Sequence, residues 1–193
     1  MDLKQRLSTK ESCGMLALVV FLLIVIAYFQ SGPSTPKHVS APAKKYFNFT
    51  SAQYIKRFNE SLAAIEQPMR MRKKKETDTG ENKIIQVTIN KNLTMLIQER
   101  KDNGLVDYLT FIGTGDGTLN SGVDLLFGLA CVVMAVENPQ MTRDERGDII
   151  RDLGATDKKF PNAGEERTFV RKGVEYKLSK SKELGIWLLV HPI

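Results

Sequence analysis

A run of fifteen residues without a charged side chain, Met15–Phe29, constrains this chain more than any other feature. With Cys13 and Gly14 the apolar segment reaches about 17 residues, the short limit for a transmembrane helix. A basic tail, residues 1–12, precedes it. The rest of the chain is therefore expected to be tethered to a membrane or exported across one.

The same segment also has the greatest length usual for a signal-peptide core, so a cleaved signal is the alternative. The residues that follow the core do not favour cleavage, because Tyr28 and Phe29 are bulky and the small residues of Val39–Ala41 are followed by Pro42. We expect an uncleaved anchor over residues 13–29. Short tails usually stay in the cytoplasm, which places the C-terminal part outside.

Two further parts follow the anchor. Residues 30–45 contain three prolines and no periodic apolar pattern, which predicts an extended tether with a reach of roughly 40–50 Å. Residues 46–193 have the length of one domain with a hydrophobic core. Cys131 is the one cysteine in that range, so no disulfide within the domain is expected. An exported domain without a disulfide is most usual in bacteria, which favours an inner-membrane protein with its domain in the periplasm or outside the cell.

The formal net charge of +6 does not indicate a nucleic-acid-binding protein. Residues 1–45 hold six of the 28 Lys and Arg and two of the 22 Asp and Glu, which leaves 22 basic and 20 acidic side chains in residues 46–193. A domain so close to neutral lacks the broad basic surface that phosphate binding requires.

Hydrophobic periodicity and turn residues predict an α+β domain of order α-βββ-αα-βββ, an antiparallel sheet with helices packed on one face. Two capping boxes, Thr50 with Gln53 and Thr142 with Glu145, mark helix starts, and Ser121 with Asp124 is expected to cap the apolar helix. The predicted elements are a helix from Thr50 or Ser51 to about Pro68, strands Lys83–Ile89, Leu93–Arg100 and Leu105–Ile112, helices around Leu125–Val136 and Thr142–Leu153, and strands Arg167–Arg171, Val174–Leu178 and Gly185–Val190.

No motif of known chemistry stands out. The glycine-rich loop Gly113–Gly122 lies between a strand and a helix, but it lacks both the P-loop lysine and the dinucleotide-binding spacing. We interpret it as a flexible crossover. His191 reads as a strand-edge residue, and Cys131 and Trp187 read as core residues. We therefore predict no catalytic residue, no metal site and no cofactor.

The densest cluster of charge is Arg70–Lys75, with Arg70, Arg72, Lys73, Lys74 and Lys75 in six residues. These five side chains are candidate lipid contacts, since each basic residue near an anionic bilayer contributes about 1 kcal/mol of binding. The alternative is a solvated loop that follows the first helix and complements the negative end of its dipole.

The function expected from these features is that of a non-enzymatic, membrane-anchored envelope domain that binds a protein partner, as a complex subunit, an accessory factor or an inhibitor. Two alternatives remain. One is a hydrolase that uses carboxylates near the Gly113–Asp124 loop, with Asp116 and Asp124 as the first residues to mutate. The other is a cytoplasmic domain that docks on anionic lipid through Arg70–Lys75.

Overall fold

The computed structural model describes residues 45–154, 160–182 and 185–193. The predicted basic tail, membrane anchor and tether lie outside these ranges, except for Lys45 at the end of the tether. Backbone contacts divide the chain into two compact units, and the second, Ala43–Ile193, holds every element described below.

Within the described residues, three helices and seven strands follow one another in the order α-ββββ-αα-βββ. They are α1 Ser51–Ala64, β1 Arg72–Asp78, β2 Asn82–Thr88, β3 Leu93–Arg100, β4 Val106–Gly113, α2 Leu119–Glu137, α3 Arg143–Asp152, β5 Glu166–Arg171, β6 Val174–Ser181 and β7 Gly185–Pro192. The strands form one antiparallel sheet in the order β1-β2-β3-β4-β7-β6-β5. The predicted α+β class with an antiparallel sheet is confirmed.

The first half of the domain has one strand more than the sequence predicted. The segment Arg72–Asp78, interpreted as part of a polar loop, is β1, an outermost strand of the sheet. Six of its seven residues are exposed, so both of its faces carry charged or polar side chains. The alternation of apolar and polar residues that reveals a strand buried on one face is therefore missing here.

The helix boundaries follow local hydrogen bonding. The capping boxes of Thr50 with Gln53 and of Thr142 with Glu145 are both present, which confirms the predicted starts of α1 and α3. Helix α2 begins earlier than expected, because Thr118 caps it and accepts a hydrogen bond from the backbone N–H of Ser121. The helix therefore gains a first turn that the sequence analysis placed in the glycine loop.

One face of the sheet, called here the covered face, packs against the helices. Its apolar side chains alternate along the strands and are almost fully buried. They are Ile85, Val87, Leu93, Met95, Ile97, Leu109, Phe111, Tyr176, Leu178, Ile186, Leu188 and Val190. Gly128 of α2 lies so close to this face that a Cβ atom there would be 2.7 Å from the ring of Phe111. Helix α2 is therefore the central helix of the core.

Helix α2 is also, within the described residues, the one helix long and apolar enough to cross a membrane by length and composition. Its mean hydropathy is 1.9, and half of the most apolar window is buried inside the fold. The buried part is its second half, Gly128–Ala135, whose contacts are those of a core helix. Leu119 and Val123, in the first half, are exposed.

The opposite face of the sheet, the outer face, carries the alternate side chains, and these are half-buried. Ile112 and Trp187 lie side by side on β4 and β7, with Leu189 two residues farther along β7. Trp187 thus belongs to the outer face. The sequence predicted it as a core residue, and that prediction is wrong as to the helix-covered core. The strand around it is apolar on both faces, so periodicity could not assign the tryptophan to either one.

The first described residues join the edge of the core before α1 begins. Phe47 donates its backbone N–H to the carbonyl oxygen of Val106, and Val106 donates to the carbonyl oxygen of Phe49, each at 3.0 Å. The rings of Phe47 and Phe49 stack with centroids 4.9 Å apart, and Tyr54 follows at 5.6 Å from Phe49. The guanidinium of Arg57 lies over the ring of Phe49, 5.0 Å from its centroid.

Candidate functional site

The five basic residues predicted as lipid contacts lie along and just before β1. Arg70 precedes the strand and donates to the carbonyl oxygens of Met69 and Gln67. Lys73 pairs with Glu76, and Lys83 of β2 lies 3.7 Å from the same carboxylate. These lysines hold the pKa of Glu76 below its usual range, with the Lys73 hydrogen bond as the main cause.

The register of β1 is irregular at its most basic point. The pairing with β2 shifts between Lys73 and Lys75, which leaves Lys74 as a bulge. Lysines and bulges on an outermost strand are common devices that prevent another chain from pairing with it. The basic cluster thus has a structural explanation that does not involve lipid, since it protects this edge of the sheet.

The glycine loop brings Asp116 into a dense set of hydrogen bonds. Its carboxylate accepts from Thr118 Oγ1 at 2.6 Å and from Asn92 Nδ2 at 3.2 Å, and Lys91 Nζ lies 2.9 Å away. The hydrogen bond from Thr118, followed by that from Lys91, holds the pKa of Asp116 far below its usual range. Asp116 therefore braces the loop against the β2–β3 turn and is a poor proton acceptor.

The second carboxylate of the hydrolase alternative, Asp124, belongs to α2 and contacts another residue of the same turn. It accepts a hydrogen bond from Asn90 Nδ2 at 3.0 Å, and this amide also contacts the sulfur of Met69. Asp116 and Asp124 thus each attach α2 and its loop to the β2–β3 turn. Their geometry favours a structural role over the pairing of an acid with a base.

His191 has a carboxylate partner that its position in the sequence did not reveal. Its Nε2 atom lies 2.9 Å from Oε2 of Glu175, its cross-strand neighbour on β6. The His191 ring also packs 5.3 Å from the ring of Tyr108. The three side chains form a polar group on the outer face, where strand pairing, and not closeness along the chain, brings them together.

A second ionic cluster joins the helices to the β5–β6 hairpin. The side chain of Glu137, only 1% exposed, lies 2.9 Å from Arg171 Nε and 3.1 Å from Lys172 Nζ. Arg171 also binds Asp152 through Nη1 at 2.6 Å. The cluster ties the ends of α2 and α3 to the hairpin turn. It is satisfied by its own charges, which is typical of a structural clamp.

Cys131 is fully buried within α2, as the sequence predicted. Burial raises the pKa of the Cys131 thiol to about 12. A thiol so far from its ionised form is a poor nucleophile. No group of three or more His, Cys, Asp or Glu side chains that could hold a metal ion occurs among the described residues.

A recess with both apolar and charged walls lies between the helices. This recess, called here the helix groove, has a volume of about 480 Å³. Ile65 after α1, Phe127 of α2 and Ile150 of α3 supply its apolar lining, and Arg143 and Arg146 supply two cations. The remaining lining residues are Ala64, Glu66 and Gly147. The groove therefore combines an apolar floor with a rim on which positive charge exceeds negative.

An exposed apolar stripe continues from the groove along α2. Leu119 is 83% exposed and Val123 is 40% exposed. Residues four apart in a helix lie on the same side, so Leu119, Val123 and Phe127 form one line that ends in the groove. Single exposed apolar residues are common, whereas these residues form a line that leads into a recess.

Gly147, in the wall of the groove, is unusual for the interior of a helix. Glycine there costs about 1 kcal/mol relative to alanine. No described atom lies within 4 Å of the position that a Cβ would occupy, so nothing in the described fold requires a glycine. A missing side chain in the groove wall lets another molecule approach the backbone of α3 closely.

The groove was missed by sequence reasoning because Ile65 follows α1, whereas Phe127 and Ile150 belong to α2 and α3, far apart in the sequence. Each belongs to an apolar stripe that also contains core residues, and only the packing of α1, α2 and α3 leaves these three half-exposed. Gly147 was the one local signal. The arrangement can bind a ligand that is apolar on one side and negatively charged at its margin.

No family model, no curated protein and no solved structure matches this chain.

Proposed function

We propose that this chain is a membrane-anchored, non-enzymatic domain of the cell envelope that binds a protein partner. The anchor and tether expected over residues 13–29 and 30–45 would hold the domain near the membrane and raise its local concentration around other membrane proteins. The observation that carries the proposal is the exposed apolar stripe of α2 that ends in the helix groove.

The partner segment that fits this surface is an amphipathic helix with acidic residues at its margin. The stripe of Leu119, Val123 and Phe127 is about two turns of helix long, which matches anchors spaced three or four residues apart. Arg143 and Arg146 face the rim, where Arg146 donates to the carbonyl oxygen of Met141. A carboxylate on the partner would complement these two cations.

The alternative functions have weaker support. The hydrolase alternative needs a carboxylate free to take up a proton, whereas Asp116 is held ionised by its donors. The lipid alternative rests on the dense positive charge of Arg70–Lys75. Protection of a bulged outermost strand explains that charge without a bilayer. Protein binding is thus the function that the surface supports best.

A photo-crosslinking residue in place of Val123 tests this proposal in the full-length chain, expressed in its native cells. We expect a single protein adduct in the membrane fraction. Arg143→Glu and Gly147→Gln should reduce the yield of that adduct roughly tenfold, since one removes a rim charge and the other fills the groove. Arg151→Glu is the matched control, because Arg151 lies on the same helix but outside the groove.

This design separates binding from unfolding. A glutamate at position 143, in the first turn of α3, interacts favourably with the helix dipole, and a glutamate at 151, in the last turn, does not. The variant that loses the adduct should thus be the more stable of the two. Equal adduct yields from Arg143→Glu and Arg151→Glu would exclude the groove. Adducts formed only with lipid would replace the protein partner with the bilayer.

The membrane part of the proposal has a separate test, which is protease treatment of spheroplasts that carry a C-terminally tagged chain. Degradation of a full-length species from outside supports an anchored, exported domain. A species that begins near residue 42 indicates a cleaved signal. Protection of the full-length species reverses the topology and makes Arg70–Lys75 the first segment to mutate.

A further inference from the structure

The β5 edge of the sheet has a defined pattern of backbone groups that point away from the fold. The β5–β6 turn consists of Lys172 and Gly173, with φ angles of 48° and 76°. Two residues with positive φ are typical of a type I′ hairpin turn, in which the flanking residues, Arg171 and Val174, exchange two hydrogen bonds. Their pairing in the register agrees with this.

Hydrogen-bonded and non-hydrogen-bonded pairs alternate along an antiparallel ladder. Counting back from Arg171, the residues of β5 that bond to β6 are Arg171, Phe169 and Arg167. The N–H and C=O groups of Glu166, Thr168 and Val170 therefore point outward from the sheet. Within the described residues, β5 pairs only with β6, and its register has no shift.

The side chains along this edge protect it less than those of β1 protect the other edge, although Glu166, Arg167 and Arg171 are charged. Glu166, Thr168 and Val170 are exposed, and Val170 is 56% exposed. The strand has neither a bulge nor a lysine. Such an edge presents a row of donors and acceptors at the spacing of a β-strand, which is the chemistry that recognises another extended strand.

A second copy of β5 meets this requirement in one register. Two copies related by a two-fold axis through the sheet pair antiparallel, and the outward residues must face outward residues. If the axis passes through Thr168, Thr168 faces Thr168 and Glu166 faces Val170 of the second copy. Arg167 then faces Phe169, and Glu165 faces Arg171, so like charges are never directly opposite.

The neighbouring registers are worse. An axis at Phe169 places Arg167 opposite Arg171 twice, and an axis at Arg167 places that arginine opposite itself; like charges directly opposite are destabilising. An axis at Val170 avoids these clashes but pairs Thr168 with the turn residue Lys172, which shortens the ladder. Charge and length together therefore select Thr168.

We propose that this chain forms a symmetric dimer through β5, paired about Thr168, to give one continuous sheet of fourteen strands. Roughly six backbone hydrogen bonds join the two copies, two for each of the pairs Glu166–Val170, Thr168–Thr168 and Val170–Glu166. The dimer uses none of the residues that line the helix groove, and it stands or falls independently of the proposed partner.

Thr168→Cys tests the register in the detergent-solubilised full-length chain that also carries Cys13→Ser. Cα atoms of a hydrogen-bonded pair lie about 5.5 Å apart, within the range that a disulfide spans. Oxidation with copper-phenanthroline should yield a disulfide-linked dimer on a non-reducing gel. Cys131 does not contribute, because its side chain is fully buried.

Val170→Cys is the matched control. It lies on the same face and is also exposed, but in the proposed register its two copies are offset by roughly 13 Å along the strands and roughly 5 Å across them. We expect it to cross-link roughly tenfold less than Thr168→Cys, since this separation exceeds the reach of a disulfide. Equal cross-linking of the two variants, cross-linking of Val170→Cys alone, or no cross-linking of either would overturn the proposal.

A second variant tests the dimer without cysteine chemistry. Val170→Glu places a second carboxylate directly opposite Glu166 of the other copy, twice in the dimer, and should shift the sedimentation of the Cys13→Ser chain from dimer to monomer. An unchanged dimer would show that the copies associate through another surface. Unchanged far-UV circular dichroism confirms that the variant is folded.

Discussion

The two outermost strands of this sheet differ in how well they are protected from pairing with another strand. Both β1 and β5 have one side without a neighbouring strand in the described fold. Strand β1 carries Arg72, three successive lysines and a shift in its register, whereas β5 is regular, has no lysine and exposes Glu166, Thr168 and Val170. The first arrangement prevents strand addition and the second permits it, so the sheet can extend in one direction only.

The difference has a consequence for assembly. A domain with two open edges would polymerise without limit, since each added copy presents a new edge. A domain with one protected edge and one open edge stops at two copies when the open edge pairs with itself. The lysines of β1, which the sequence offered as candidate lipid contacts, thereby limit the size of the proposed assembly.

Among the changes that test this difference between the two edges, a proline in β5 should have the largest effect on the free energy of unfolding. Phe169→Pro removes an N–H that bonds to β6, together with a ring stacked 5.0 Å from Tyr176, and should lower the free energy of unfolding by about 3 kcal/mol or more. Thr168→Pro removes an outward N–H and should cost less than about 1 kcal/mol while abolishing the dimer. Urea unfolding measures the first quantity and sedimentation measures the second.

Phe169→Ala is the control that separates loss of the ring from loss of the N–H. If Thr168→Pro and Phe169→Pro destabilise the domain equally, the assignment of inward and outward groups on β5 is wrong. The proposed dimer would then lose its register.

The next effect concerns how firmly each edge is attached to the helices. Arg171→Ala leaves the buried carboxylate of Glu137 with Lys172 as its remaining cation and should lower the free energy of unfolding by about 2 kcal/mol, less than for a fully buried pair because Arg171 is partly exposed. On the opposite edge, Lys73→Ala breaks an exposed pair with Glu76 and should leave the urea midpoint unchanged. Equal midpoints for the two variants would contradict the clamp.

The smallest effect on stability, with a large effect on assembly, is expected from removing the protection of β1. Replacing Lys73, Lys74 and Lys75 with threonine should leave the free energy of unfolding nearly unchanged, since these side chains are exposed. Light scattering should show particles that grow with concentration, because both edges can now pair. Adding Val170→Glu, which places like charges opposite each other when β5 pairs with itself, should return the assembly to small species, and continued growth would show that β5 takes no part in it.

The features that could be predicted from sequence are strands buried on one face and helix starts marked by local capping. Strand β3 was predicted with its observed bounds, because Leu93, Met95 and Ile97 alternate with half-buried residues. The starts of α1 and α3 were predicted because capping is a local interaction between residues three apart. Strand β1 was missed because an outermost strand exposed on both sides has no hydrophobic period.

The candidate surfaces were harder to predict for a related reason. The basic cluster was visible as a run of charge, but its role depends on the strand that it occupies. The helix groove depends on Ile65, Phe127 and Ile150 meeting across three helices, and the open edge depends on which amides of β5 point outward. Both are consequences of packing and register, which no single segment encodes.

The aromatic stack at the start of the domain has a mechanical consequence. Phe47 and Phe49 are fixed to Val106 by two backbone hydrogen bonds and stack against Tyr54, directly after the segment expected to act as a tether. A force transmitted along that tether would load this stack before it reached α1 or the sheet. The two backbone hydrogen bonds to Val106 would therefore have to break before a pull on the preceding chain could distort the groove or the β5 edge.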